Sequence, residues 1–185
     1  MRIYNLFPLL CGTFPEWKSH IKRAAEMEFD WVFVNPVQQP GHSGSLYSIA
    51  DYFALNPQLI DSAESITGES QLRHVAQYAR ELKMRLMVDL VINHCAVDAA
   101  IVQEHPNWFI FEADGRVSNP HCKEDGKKVV WRDLARFNHR TKEEDELIAF
   151  YLKIIEYLIG LGFATIRGIS QKAEIINTSH RSLNN

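Results

Sequence analysis

The stretch Met87-Val88-Asp89-Leu90-Val91-Ile92-Asn93-His94 constrains the fold more than any other part of the chain. A short apolar run rich in Val, Leu and Ile, preceded by Arg85 and closed by two polar residues, predicts a strand buried on both faces. Such strands belong mainly to parallel sheets. In α/β proteins of that kind ligands meet the carboxyl ends of the strands, so Asn93 and His94 stand where chemistry is expected. Asp89 interrupts the apolar run. A carboxylate inside a buried strand has to be paired or hydrogen-bonded, because removing its water without compensation costs several kcal/mol.

The elements on either side follow a regular alternation. Ile3-Tyr4-Asn5-Leu6-Phe7 reads as a first strand ended by Pro8. Thr13-x-x-Glu16 is a capping-box pattern, and Trp17, Ile21, Ala24, Ala25 and Met27 then recur near helical spacing. Trp31-Val32-Phe33-Val34-Asn35 is a second apolar run, closed by the turn dipeptide Asn35-Pro36. Val37 to Gly68 is long for a connection, which points to a functional loop. Leu72, Val75, Ala76, Ala79 and Leu82 mark a second helix leading into the central strand. A second excursion, 95–138, reads as a loop with small elements of its own, such as Val129-Val130-Trp131. Leu147, Ile148, Tyr151, Ile154, Ile155, Leu158 and Leu161 define a third helix, stopped at Gly160 and Gly162. Thr141-x-x-Glu144 is its expected capping box, and the acidic cluster Glu143 to Glu146 suits a first helical turn. Gly162 to Arg167 reads as a fourth strand, and 168–185 as an irregular polar tail.

The order βαβαβαβ, with long connections only after strands, describes an α/β fold: half of a (β/α) barrel or an open parallel sheet. No G-x-G-x-x-G follows the first strand, so nothing supports a dinucleotide fold. A complete barrel of this type takes about 250 residues, and the 185 here reach near its middle. Residues 1–167 are expected to form one domain.

Composition excludes other classes. A formal charge of −3 without blocks of like charge gives no reason to expect nucleic acid or an anionic membrane surface. No apolar stretch approaches the roughly 20 residues of a membrane span, and the start Met1-Arg2-Ile3-Tyr4 is too briefly apolar for a secretory signal. A cytoplasmic location is therefore expected. Cys11, Cys95 and Cys122 are odd in number and lack framework spacing, which favours reduced thiols. His94-Cys95 with His121-Cys122 would make four zinc ligands, but without the usual C-x-x-C or H-x-x-x-H spacing.

Three motifs occur in a telling order: Tyr47-Ser48-Ile49-Ala50-Asp51-Tyr52, then Asp89-x-x-x-Asn93-His94, then His105-Pro106-Asn107-Trp108-Phe109. Together they resemble the Y-x-x-x-D-Y, D-x-x-x-N-H and H-P-x-W-F segments of the alpha-amylase family of glycoside hydrolases. The resemblance implies the N-terminal half of a TIM (β/α)8 barrel and an α-glucan or α-glucoside ligand. It also assigns roles. His94 would hydrogen-bond a hydroxyl of the sugar whose bond is cut, Tyr47 would stack beneath that sugar, and Asp51 would hold the tyrosine-bearing loop. Asp89 would pair with an arginine on the fourth strand, for which Arg167 is the candidate. Asn93 would ligate a structural calcium in many members. Here, however, Trp131-x-Asp133-Leu134-Ala135-Arg136-Phe137-Asn138 places Arg136 where a carboxylate could ligate, and a cation opposes metal binding. No other cofactor is implied.

The fourth strand departs from the family. Its G-F-x-x-x-R-x-D, or the shorter G-F-R-x-D, ends in the nucleophilic aspartate, and the two alignments put Ile169 or Ile166 there. No aspartate occurs after Asp145, and Glu174 is the only acid past the fourth strand. The general-acid glutamate and a third aspartate belong to strands five and seven of such a barrel. The expected function is therefore that of a glycoside hydrolase or glucan transferase fragment, inactive as this chain. The alternative is a non-catalytic remnant with a residual sugar-binding surface or no selected function. Half a barrel leaves unpaired sheet edges, so self-association is also expected.

Overall fold

The structure, a computed structural model, describes residues 1–169. Four strands run parallel in one sheet: β1 (Ile3–Leu6), β2 (Trp31–Val34), β5 (Arg85–Val91) and β10 (Thr165–Ile169), in that spatial order. The helices α1 (Trp17–Glu26), α2 (Gly68–Glu81) and α4 (Glu144–Gly160) are the crossovers. Between β2 and α2 lies a hairpin of β3 (Gln38–Pro40) and β4 (Ile49–Leu55). The excursion after β5 holds β6 (His94–Ala96), α3 (Ala100–Glu104), the hairpin β7 (His121–Glu124) and β8 (Lys127–Val130), and β9 (Leu134–Arg136). β9 returns antiparallel to β6.

Alternation along the strands explains the layers. Leu6, Val34 and Val88 stand in register and are fully buried beneath the helices. Asn5, Phe33, Met87 and Thr165 occupy the intervening register on the opposite, inner face. The α4 residues Leu147, Tyr151, Ile154 and Leu158 close the outer layer. Each buried aliphatic side chain there contributes about 2 kcal/mol. Gly162, just past α4, has φ +103°, and a Cβ there would come 2.5 Å from the Cβ of Ala76 on α2. Glycine thus ends the helix and lets two helices close on each other.

Several expectations need correction. Within the segment 37–68, residues 38–55 form a bulged hairpin and only 56–67 are turns, because register shifts at Gln38, Gln39 and Pro40 break the period-2 pattern that marks a strand. Thr141 does not cap α4. The helix starts at Glu144 with Glu143 as N-cap, and the Thr141 hydroxyl accepts the Glu143 N–H at 3.2 Å in the preceding turn. Thr13 and Glu16 do pair, with the Glu16 carboxylate accepting the Thr13 N–H at 2.6 Å and its hydroxyl at 2.9 Å. The short helical turn they cap, 14–16, leads into α1. The fourth strand extends through Gly168 and Ile169, and the rest of the expected tail, with Glu174, lies outside the described residues.

Candidate functional site

Asp89 is the centre of the site. It lies near the carboxyl end of β5 with 1% of its surface exposed. Its Oδ2 accepts the Tyr47 hydroxyl at 2.8 Å, and that same hydroxyl oxygen accepts the Asn35 side-chain amide at 2.7 Å. Parallel pairing of β5 with β10 sets Arg167 beside Asp89. The Arg167 Nε is 4.0 Å from Asp89 Oδ1, an ion pair without a hydrogen bond, and Oδ1 has no hydrogen-bond partner among the described residues. The guanidinium lies 5.1 Å from the centroid of the Phe33 ring, a distance suited to a cation–π contact.

Burial dominates the electrostatics. It raises the Asp89 carboxyl above the ordinary carboxylate range, against the opposing hydrogen bond from Tyr47 and the charge of Arg167. Burial likewise raises the Tyr47 phenol, so it stays protonated and donates.

His94 opens β6, just past the end of β5. Its Nε2 is 3.1 Å from the Tyr47 carbonyl. A carbonyl only accepts, so Nε2 carries the proton and Nδ1 is the bare acceptor. That Nδ1 is buried and has no partner among the described residues. Burial lowers the imidazole pKa, which favours the neutral ring. The ring's donor is thus used on Tyr47, leaving the acceptor alone.

Asp51 is not part of this cluster. It is exposed on β4, and its Oδ1 accepts the Phe53 N–H at 2.8 Å, closing a local turn. The bulged hairpin buries the next residue instead. The Tyr52 hydroxyl is 2.9 Å from the Val91 carbonyl and 3.1 Å from that of His94. Tyr52 therefore ties the tyrosine-bearing hairpin to the strand end that carries His94, the task that the resemblance assigned to Asp51. Asn35, which the sequence marks only as part of a turn dipeptide, is buried at the carboxyl end of β2 and belongs to the site.

Asn93 Oδ1 is buried without a hydrogen-bond partner, while its carbonyl accepts the Phe137 N–H at 3.2 Å. No three His, Cys, Asp or Glu side chains among the described residues are grouped to hold a metal, and Arg136 pairs with His94 across β6 and β9. A calcium ion takes six to eight oxygens, from carboxylates, amide and backbone carbonyls and water, with carboxylates supplying the neutralising charge. Without a group of carboxylates and with the cationic Arg136 opposite His94, these residues do not fit it. Cys95 is buried and donates its thiol to the Ala96 carbonyl, so the four-ligand zinc arrangement is likewise not formed. Ile166 stands opposite Val88 and packs against the hydrophobic core, on the face away from Arg167. Ile169 is paired with Val91 at the strand end, and its side chain lies outside what is described.

Residues 1–115 match the family described as "Glycogen debranching enzyme, glucanotransferase domain". The glycogen debranching enzyme of Saccharomyces cerevisiae is 29% identical over 91 residues, 49% of this chain and 6% of that protein. An alpha-1,4-glucan:maltose-1-phosphate maltosyltransferase of Picrophilus torridus is 23% identical over 184 residues, 89% of this chain and 27% of its own length. The chain thus spans about a quarter or less of these relatives. Among solved structures, the maltogenic alpha-amylase AmyB of Thermotoga neapolitana superposes with a TM-score of 0.76 at 22% identity, covering 94% of this chain and 40% of that one. An alpha-amylase of Lactobacillus plantarum gives 0.72 at 24% identity, covering 90% and 37%.

Proposed function

The chain belongs to the family of glycogen debranching enzyme glucanotransferase domains, within the alpha-amylase group, and from that premise we propose that it binds α-glucans through a site it cannot itself use for bond cleavage. The observation that carries this reading is the linked set Asn35, Tyr47, Asp89 and Arg167, gathered at the carboxyl ends of parallel strands with His94 beside it. In barrels of this kind that is where ligands bind.

The roles follow from the geometry. Tyr47, its hydroxyl pinned at both sides, presents a fixed aromatic ring to a sugar. The bare Nδ1 of His94 is left to accept a hydrogen bond from a sugar hydroxyl. Asp89, through Tyr47, sets the position of that ring, and Arg167 offers guanidinium donors from the exposed side. None of these supplies the missing chemistry. Retaining glycosidases use two carboxyl groups about 5 Å apart, as nucleophile and acid/base, and no aspartate follows Asp145. Glycosidase or glucan-transferase activity on α-glucosidic bonds belongs, in this reading, to a barrel with those groups present. No helix among the described residues is long and apolar enough to cross a membrane.

Affinity electrophoresis through gels containing glycogen tests the reading. Retardation of the chain that is lost in Tyr47→Ala and His94→Ala supports it; migration indifferent to glycogen overturns it.

A further inference from the structure

We propose that Trp131 is a second stacking platform for an α-glucan chain, on the rim of the site beyond Tyr47. This rests on the α-glucan reading above and extends it to a residue outside the linked set.

The four tryptophans are treated unequally by the fold. Trp17 and Trp108 are buried, and Trp31 is half-buried with the Arg85 guanidinium 5.4 Å from its ring centroid. Trp131 keeps 41% of its surface exposed, next to an exposed Val130. A single exposed apolar residue means little, but its mounting and position give this one meaning. Its N–H donates to the Pro120 carbonyl at 3.0 Å, and its carbonyl accepts the Leu134 N–H at 3.3 Å. The ring therefore sits on a backbone held from both sides.

The same turn is fastened to the site. The Asp133 carbonyl accepts the Val97 N–H at 2.9 Å and the Ser48 hydroxyl at 3.3 Å, and Ser48 directly follows Tyr47. Trp131 and Asp133 are two positions apart, a reach of at most about 7 Å. The turn that carries Trp131 is thus tied to the residue next to Tyr47, and in this proposal the two rings meet different sugars of one chain. A pyranose presents a C–H face that packs flat on an indole, while its hydroxyls stay in reach of water and of the exposed Arg132.

Calorimetric titration with maltoheptaose of the wild-type chain, Trp131→Ala and Trp131→Phe tests the proposal. The expected result is binding by the wild type, an about tenfold weaker Kd for Trp131→Ala with unchanged thermal unfolding, and an intermediate Kd for Trp131→Phe. Equal affinity of wild type and Trp131→Ala overturns the platform and leaves the α-glucan reading standing. No binding by the wild type overturns both. Should Trp131→Ala fold poorly, the indole N–H resonance of Trp131 in the wild type decides: it shifts on adding maltoheptaose, and an unmoved resonance overturns the platform.

Discussion

Arg167 stands beside Asp89 in strand register with 4.0 Å between Nε and Oδ1, yet the hydrogen bond to that carboxylate comes from Tyr47 at 2.8 Å. The buried charge is held by a phenol from a distant hairpin more closely than by the cation next to it. Arg167 is largely exposed, so its attraction is screened by water.

Substitutions at the two partners should therefore differ. Tyr47→Phe leaves both the Asp89 carboxylate and the Asn35 amide short of a partner, and is expected to cost about 1–3 kcal/mol. Arg167→Gln is expected to change stability by less than about 1 kcal/mol. Urea unfolding of the two variants measures the difference, and a larger loss for Arg167→Gln would contradict this assignment.

The two buried titratable groups give opposite pH dependences. Asp89 is raised in the fold, so the native state holds a proton where the unfolded chain has released it. Stability from this group falls as pH rises from about 3.9 through the raised value. His94 is lowered in the fold, so the unfolded chain takes up a proton first. Stability from this group falls as pH drops below about 6.5. Thermal melts across pH 4 to 8 should show Asp89→Asn removing the first slope and His94→Gln the second.

Backbone conformation makes a third case. Lys83, just past α2, adopts φ +58°, a left-handed position where a side chain is strained. Lys83→Gly is expected to stabilise by up to about 1 kcal/mol. Gly162→Ala should do the reverse, since its φ of +103° and the close approach of Ala76 both oppose a Cβ. The two melting temperatures should move in opposite directions.

Apolar surface makes a fourth. Ile148, Leu152 and Ile159 lie along one side of α4 and are 37%, 44% and 56% exposed. β1 and β10 are the outer strands of the sheet. This chain by itself is expected to self-associate. Sedimentation velocity should show concentration-dependent association that Leu152→Lys with Ile159→Lys reduces.

How much of this is legible in the sequence depends on the kind of signal. The parallel strands could be read because each is a short apolar run ended by a polar or turn residue, whereas the pairing of Asp89 with Arg167 came only from the family resemblance. The hairpin of β3 and β4 could not, since its bulges destroy the alternation by which strands are recognised. That same irregularity put Tyr52 inside and Asp51 outside. The Thr141 cap failed for a local reason: Thr-x-x-Glu fits a helix start, but here the hydroxyl satisfies the N–H two residues on. Asn35 shows a general limit. A hydrogen bond to Tyr47 twelve residues away depends on a fold-back that no local pattern announces.

The site proposed for this chain binds an α-glucan without cutting it. Its most direct test is product chromatography after incubating the pure chain, alongside His94→Ala, with maltooligosaccharides and a panel of α-glucosides. The account predicts that the sugars are recovered unchanged in both samples. Hydrolysis or transfer products from the wild type that disappear in His94→Ala would contradict it, and would show that a carboxylate other than one at positions 166 or 169 serves as nucleophile.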